Sequence, residues 1–536
     1  MGFFIFLLVF YLLLSVSLYF LFPKAGEAGW KGLVPGLNFV IWCRLIGRKP
    51  AYAAWLLFPV VNIFIYAGMA VDMVRSFGKY SFWHSALAVI AAPLYFLYLA
   101  FDQKTQYGGP TLEKEKAFKA QLEEAREKQN KRQLEKLEAN NPYKKSQTRE
   151  WAEAVIFAVF AAAFIRLLLI EAYVIPTSSM EGSLLVGDFL FVSKAHYGLR
   201  LPQTVAMIPL LHNRVPKVGG ESYLEKPQLP YKRLPALESI DRNDPVVFNF
   251  PEGDSVYIFP HRTWSVNDLR YGAIPPQETR MIKSGAKKLV TRPVDKKDHY
   301  IKRCIGIPGD SLEIRDRQVY INGTPAKNPK YLQYIYLVTF PSGSINTRDF
   351  SDWGISEEDV MAQQGTNSLI LVLSEEQKEK VKTLDPSIVI EYLDMKVFDT
   401  NPYKLFPHDP EHFKAWTVDN FGPVYIPQKG ATVKISPENI ALYSRIIDVY
   451  EKNDLAFKDG KIYINGQEAN EYTFQMNYYW MMGDNRHNSE DSRVWGFVPE
   501  DHIVGKPMVI WFSTREGSIA KGVNWKRIFK GVSHLE

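Results

Sequence analysis

Two short stretches, far apart in the chain, carry side chains able to do acyl-transfer chemistry. The first is Ile175-Pro176-Thr177-Ser178-Ser179-Met180, directly after an apolar run, and the second is Tyr300-Ile301-Lys302-Arg303-Cys304, leading into Gly306-Ile307-Pro308-Gly309-Asp310. A serine hydroxyl is a poor nucleophile at neutral pH and needs a base within hydrogen-bond reach. In a triad that base is a histidine oriented by a carboxylate, and none of the ten histidines sits in a comparable motif. Lys302 stands in a strand-like run whose Tyr300 and Ile301 would shield its amine. Burial disfavours an ammonium, lowers its pKa and leaves a neutral amine able to take the serine proton. Arg303 would deepen that depression only by lying close in space. A third stretch, Gly483-Asp484-Asn485-Arg486-His487-Asn488-Ser489-Glu490-Asp491-Ser492-Arg493, supplies the polar side chains such a pair needs for orientation.

Other patterns compete and are weaker. Ser-x-x-Lys, the penicillin-recognising signature, occurs at Ser76 to Lys79, Ser284 to Lys287 and Ser518 to Lys521, without the accompanying Ser-Asp-Asn or Lys-Thr-Gly. His408-Asp409-Pro410-Glu411-His412 matches a metalloprotease pattern in its letters. Two such ligands need one helix face, and Pro410 inside the turn works against that helix. The reading is a solvated loop and no metal site.

The elements that must position the chemistry begin with apolar runs at 2 to 22, 51 to 71, 83 to 101 and 151 to 170. Each is near the 20 residues a helix needs to cross roughly 30 Å of hydrocarbon. The first lacks a basic leading region and a clean small-x-small site, so it reads as a span and not as a cleaved signal peptide. Pro93 would only kink the third. Lys24, Lys31, Arg44, Arg48 and Lys49 stand against Glu27 in the stretch 23 to 50, and 102 to 150 is rich in Lys and Arg. Both are predicted to be cytoplasmic. The N-terminus, a short loop around Arg75 and Lys79, and everything from residue 172 onward then lie outside. Arg166 reads as a residue near the outer end of span four, snorkelling to the interface.

A chain of 536 residues exceeds what one core usually supports, so several domains are expected. The net charge of +6 is modest. Basic residues cluster beside apolar stretches and not among interleaved aromatics, which favours membrane topology over nucleic-acid binding. Two cysteines, Cys43 and Cys304, give no disulfide framework, and Cys304 reads as a buried packing residue. Leu112 to Glu138 alternates Glu and Lys and predicts a solvated helix held by i,i+4 pairs. Leu122, Leu134 and Leu137 do not sustain a heptad.

Beyond Met180 the pattern changes to short β-rich runs: Phe189 to Val192, Pro245 to Phe250, Gln318 to Ile321 and Met508 to Trp511. These predict a mainly β, antiparallel domain. Gln318-Val319-Tyr320-Ile321-Asn322-Gly323 recurs as Lys461-Ile462-Tyr463-Ile464-Asn465-Gly466, and each Asn-Gly signals a hairpin.

From about Arg166 to Trp511, in wording and in order, these blocks resemble the type I (leader) signal peptidase family of membrane-bound Ser/Lys-dyad proteases. The resemblance implies an N-terminal transmembrane α-helical part followed by a signal-peptidase-like β catalytic domain with an inserted α+β subdomain. The apolar runs and the charge pattern give three candidate spans in 1–102, a charged cytoplasmic helical linker in 103–150 and a fourth transmembrane helix in 151–171. The catalytic domain would occupy 172–329 and 456–536, around a noncatalytic insertion at 330–455. Ser179, before Met180, becomes the nucleophile with Ser178 as its decoy, and Lys302 becomes the base. The Ser179 N–H and the Thr177 hydroxyl would stabilise the oxyanion. Ser489 would orient the Lys302 amine, and Asp484, Arg486, Asp491 and Arg493 look like an ion-pair network holding the site's shape. Ile175, Pro176, Met180, Leu184, Tyr300 and Ile301 match positions lining the family's shallow pockets. Relatives commonly read Met-x-Pro-Thr-Leu where this chain has Met180-Glu181-Gly182-Ser183-Leu184, which is expected to loosen the turn.

The function so implied is removal of signal peptides from exported preproteins at the bacterial inner membrane, on its periplasmic face. Its partners would be signal peptides, the lipid bilayer and the export machinery, with no cofactor and no nucleic acid. A catalytically inactive scaffold holding export partners is the alternative, and it requires a misplaced dyad. A self-cleaving or regulatory Ser/Lys protease is disfavoured by the spans and by the Gly-Asp-Asn-Arg block. The terminal segment Lys521 to Lys530 combines Trp525 and Phe529 with Lys and Arg, a composition suited to lipid headgroups.

Overall fold

The computed structural model describes residues 2–57, 61–144, 147–204, 206–215, 220–341, 350, 354–355, 359–365, 367–393 and 401–532. They form two compact units, Met1–Ala161 and Ala162–Glu536.

In the first unit the uncharged run folds as the helix Gly2–Leu21. Among the described helices it is the one long and apolar enough to cross a membrane unbroken, over the window Leu8–Ala25. The run 51 to 71 divides into a 3-10 segment, Pro50–Leu57, and a helix, Val61–Ser76. The run 83 to 101 breaks more sharply than a kink, since Phe82–Ile90 and Ala92–Phe101 meet at 119°. Ala91 leaves helical backbone at φ −133° and ψ 41°, and Pro93 sits in the first turn of the second helix, where its missing N–H is not needed. The fourth run lies in the helix Gln147–Leu168, of which Phe157–Leu168 is the apolar part.

Leu14, Leu18 and Leu21 pack with Trp42, Met69, Phe96 and Leu99 in a buried cluster. The Lys24 ammonium donates to the carbonyls of Leu99 (2.9 Å) and Asp102 (2.6 Å), which brings the ends of the first and fifth helical segments to one level. The charged linker forms the helices Thr111–Glu127 and Lys131–Ala139. Its ladder includes the i,i+4 pair Lys119–Glu115 at 2.7 Å, the expected kind of support for an exposed helix.

The second unit is mainly β. Its principal sheet sets side by side the strands Ile170–Val174, Asp188–Ser193, Ile503–Ser513, Pro245–Asn249, His299–Gly306, Tyr478–Met482 and Val498–Pro499, with Lys530–Gly531 added to the long third strand. Neighbours run antiparallel. The 11-residue strand Ile503–Ser513 changes partners along its length and passes three register shifts, two against Asp188–Ser193 and one against Pro245–Asn249. Such irregularities bend a strand and increase its twist, so the sheet curls and its first strand is carried toward the fifth.

Two further four-stranded sheets attach to this frame. One joins Ser311–Arg315, Gln318–Ile321, Thr324–Pro325 and Phe421–Tyr425, and the other joins Gln333–Thr339, Val360–Gln364, Ser368–Ser374 and Val389–Tyr392. Both Asn-Gly pairs turn hairpins as read from sequence, with φ of 52° and 78° at Asn322-Gly323 and 53° and 80° at Asn465-Gly466.

Candidate active site

The strand Ile170–Val174 hands the chain to Ile175, whose N–H and carbonyl continue the ladder to Asp188 and Gly187 at 2.9 Å each. The backbone then turns through the single 3-10 turn Ser178–Met180. Met180 and Leu184 are each 1% exposed, and their burial among Ile175, Leu190, Val247 and Ile510 fixes this turn to the sheet below. On the strand His299–Gly306, Lys302 lies opposite Val246. Its Nζ is 2.7 Å from Ser179 Oγ and 3.1 Å from the Ile301 carbonyl oxygen.

Lys302 is 4% exposed. Burial is the main cause that lowers its pKa to about 8, against the opposing pull of Asp491, Glu490 and Asp484. An ammonium here donates to Oγ, and a neutral amine accepts the hydroxyl proton instead. Arg303, the next residue, does not face the amine as a free charge. Its guanidinium grips Asp484 with Nε–Oδ1 at 2.8 Å and Nη2–Oδ2 at 2.7 Å, both partners being almost wholly buried.

The third stretch wraps the serine turn from above. The Asn485 N–H donates to the Ser179 carbonyl (3.2 Å), Asn485 Nδ2 donates to the Ser178 carbonyl (3.3 Å), and Asn488 Nδ2 donates to Ser178 Oγ (3.2 Å). Gly483 is required by close approach. A Cβ there would stand 2.3 Å from Ser489 Oγ and 2.5 Å from the Ser179 carbonyl oxygen. Asp491 accepts the Gly483 N–H at 3.0 Å and is held by Arg493 at 2.9 and 2.7 Å. Burial would raise the Asp491 carboxyl's pKa, but the Arg493 charge together with the hydrogen bonds from Arg493 and the Gly483 N–H lowers it overall. Arg493 also donates to the Arg486 carbonyl at 2.6 Å.

The four charged residues named from sequence lie together around the site, with Arg303 drawn in as a fifth. Asp484 takes Arg303 and Asp491 takes Arg493, while Arg486 turns its Nε to the Gly483 carbonyl at 3.2 Å. Ser489 lies beside the pair, with its hydroxyl enclosed and without a hydrogen bond among the described residues. The turn that was expected to be loose is tied. Gly182 takes φ 90°, and Ser183 Oγ donates to Asp484 at 2.6 Å. Of the pocket residues, Ile175, Met180 and Leu184 form a closed floor, with Ile301 packed against it. Tyr300 stacks on Phe250 at 4.7 Å, and Pro176 and Thr177 are exposed. Asn485, Asn488 and Ser183 carried no role in the sequence reading. The signal available for them was their place inside the two blocks.

A buried lysine here shares a hydrogen bond with a serine hydroxyl on a curled antiparallel sheet, the contact that a Ser/Lys acyl-transfer pair requires. A family model described as "Signal peptidase, peptidase S26" matches residues 148–354 and 470–512, and a family of unknown function matches residues 30–110. The signal peptidase I of Helicobacter pylori is 24% identical over 398 residues, 72% of this chain and 92% of its own length. That of Haemophilus influenzae is 26% identical over 381 residues, covering 70% and 74%. That of Buchnera aphidicola from Acyrthosiphon pisum is 25% identical over 383 residues, covering 70% and 79%. The family-model match and these relatives together support the type I signal peptidase family for this chain.

Proposed function

We propose that this protein is a membrane-bound serine endopeptidase that removes signal peptides from exported preproteins, with Ser179 as nucleophile and Lys302 as base. The observation that carries the reading is the 2.7 Å contact between Ser179 Oγ and an amine whose burial brings its pKa to about 8. Neutral Lys302 accepts the Oγ proton as Oγ attacks the carbonyl that follows a small side chain. The Ser179 N–H and the Thr177 hydroxyl stabilise the oxyanion, a donor set whose removal costs such enzymes about 10²-fold or more in rate. The protonated Lys302 then gives its proton to the departing amine, the new N-terminus of the mature chain. Water, deprotonated by the same amine, cleaves the acyl ester and releases the signal peptide as a carboxylate, with Ser179 restored.

The sheet supports an extended substrate. Among the described residues the strand Ile170–Val174 pairs on one edge only, and His299–Lys302 pairs only with Pro245–Asn249. The two free edges flank the Ser179 turn, a setting for a peptide that adds as a strand. The buried floor of Ile175, Met180 and Leu184 leaves shallow room, which favours small side chains. In this reading Ser489 orients the Lys302 amine by a rotation about χ1, and residues 330–455 are the noncatalytic insertion.

For the first unit we propose a multi-pass membrane arrangement with the catalytic unit on the periplasmic face. Leu8, Leu12, Ile90 and Leu94 expose large apolar surface, which suits lipid. Lys24 reaching Leu99 and Asp102 supports the same side for 23–50 and 102–150, both rich in basic residues. The bent pair then counts as one broken span. Trp525 and Phe529, 77% and 79% exposed, flank Arg527, whose Nη2 holds Asp188 (2.7 Å) and the Ser183 carbonyl (2.8 Å). Headgroup contact there would bring the serine turn close to the bilayer that carries its substrate. The inactive-scaffold alternative needs a misplaced dyad and finds no support in the 2.7 Å contact.

The test is incubation of the detergent-solubilised full chain with a preprotein, with the product's new N-terminus read by mass spectrometry. Cleavage after a small residue by the parent, lost in Ser179→Ala and in Lys302→Ala, supports the proposal. Cleavage by Ser179→Ala at the parent's rate overturns it.

A further inference from the structure

His487 stands inside the Gly-Asp-Asn-Arg block, yet the proposed dyad gives it no task. It lies four residues beyond Gly483 and two beyond Asn485, the residue whose N–H and side-chain amide hold the carbonyls of Ser179 and Ser178. The imidazole is fully enclosed. Its Nδ1 accepts the Ile335 N–H at 3.2 Å, which leaves Nε2 protonated to donate to Asp419 Oδ1 at 2.8 Å. Tyr334 closes the ring edge-on at 5.1 Å. Three separate pieces of chain therefore meet on one side chain: the block itself, the first strand of the sheet Gln333–Thr339, and the turn around Asp419.

The same strand is sewn to the block by its backbone. The Gln333 N–H donates to the Asp484 carbonyl, and the Arg486 N–H donates to the Gln333 carbonyl, both at 2.9 Å. Asn485 is the residue bracketed by these two bonds, so the segment that clamps the serine turn is a short parallel addition at the start of the strand Gln333–Thr339. On its other flank, Arg493 donates to the Arg486 carbonyl (2.6 Å) and to the Val418 carbonyl (3.4 Å), next to Asp419. A ring bonded at both nitrogens has one orientation and one tautomer, so His487 fixes where residues 484–486 sit relative to Gln333 and Asp419.

We infer that His487, braced by Asp419 and by the Ile335 N–H, is a positioning residue for the reaction: it holds the Asn485 clamp on the Ser179 turn and makes the extra sheet at Gln333–Tyr392 part of the catalytic frame. The inference rests on the dyad proposed above. Without the brace the turn keeps its place on the apolar floor, but the separation of Ser179 Oγ and Lys302 Nζ spreads. Misplacement on that scale reaches about 10²-fold in rate while substrate contacts persist. The effect therefore falls on kcat and leaves KM in place.

The experiment compares the detergent-solubilised full chain with His487→Phe, which keeps an aromatic ring and removes both hydrogen bonds, and with His487→Gln, which offers an acceptor and a donor. Preprotein cleavage is measured as kcat and KM, and kcat is expressed per active site from the acyl burst. Ser179→Ala serves as the blank. The expected result is a fall of about 10- to 100-fold in kcat per active site for His487→Phe, KM within about twofold, and recovery to within a few-fold of the parent in His487→Gln. Undiminished kcat per active site in His487→Phe, or a loss that appears only as a smaller burst, overturns the inference while leaving the dyad standing. Activity in Ser179→Ala would instead remove the dyad and this inference with it.

Discussion

At the scale of single residues, the proposed mechanism turns on making one amine easier to deprotonate. Lys302 can serve as a base only because taking its ammonium out of water is unfavourable, and that same penalty weakens the fold. In the unfolded chain the group has its ordinary pKa of 10.5, and in the folded chain about 8. Below pH 8 both states carry the proton and the folded state bears the whole penalty, roughly 3 kcal/mol at 1.36 kcal/mol per unit. Between pH 8 and 10.5 the unfolded state binds more protons, so stability rises across that window. Lys302→Met is therefore expected to abolish cleavage and to melt several degrees higher than the parent at pH 7, with the difference shrinking by pH 10.5. Scanning fluorimetry of both proteins in detergent at the two pH values measures this. A variant that melts lower at pH 7 would show that the amine's hydrogen bonds outweigh its desolvation.

At the scale of elements, the alternation of a strand separates two neighbouring cations into two tasks. Lys302 meets Ser179, and Arg303 joins Asp484 and Ser183, so one strand positions the proposed base and anchors both blocks. Because Arg303 and Asp484 are 1% and 0% exposed at their side chains, removing one charge leaves the other buried and unpaired, which typically costs about 3–5 kcal/mol. Asp484→Asn should lose folded protein by about that amount in denaturant titration, along with its activity. A loss below about 1 kcal/mol would mean that water reaches the pair.

Much of this level was legible in the sequence. The Ser, Lys and Gly-Asp-Asn-Arg blocks are compact strings whose chemistry survives without coordinates, and each Asn-Gly hairpin forms where residues of positive φ are needed. The partner of Asp484 was not legible. Arg486 is two positions away and Arg303 is 181 away, and only the paired strands bring the distant one into reach. The break at Ala91 was likewise hidden, because an apolar run reports its length and not its straightness. The enclosed Ser489 hydroxyl, which bonds neither Lys302 nor any other described group, depends on a rotamer that no motif encodes.

At the scale of the whole molecule, the claim is that a multi-pass membrane unit delivers a periplasmic catalytic unit to substrates held in the bilayer. Both native cysteines, Cys43 and Cys304, are buried, so an introduced cysteine reports cleanly. An impermeant maleimide applied to intact cells should label Lys79→Cys and Lys461→Cys and leave Lys31→Cys and Lys119→Cys untouched until the membrane is opened. Labelling of Lys31→Cys from outside would reverse the first segment and require the bent pair to be re-entrant.

The central claim, that a neutral Lys302 activates Ser179, is tested most directly by kcat/KM for preprotein cleavage by the full chain as a function of pH. This parameter reports the free enzyme. The base must be deprotonated, so the account predicts a tenfold rise per pH unit below the Lys302 pKa and a plateau above it, with the bend near pH 8. A profile that is flat from acidic to alkaline pH, or that bends near the ordinary imidazole value of roughly 6.5, would contradict it.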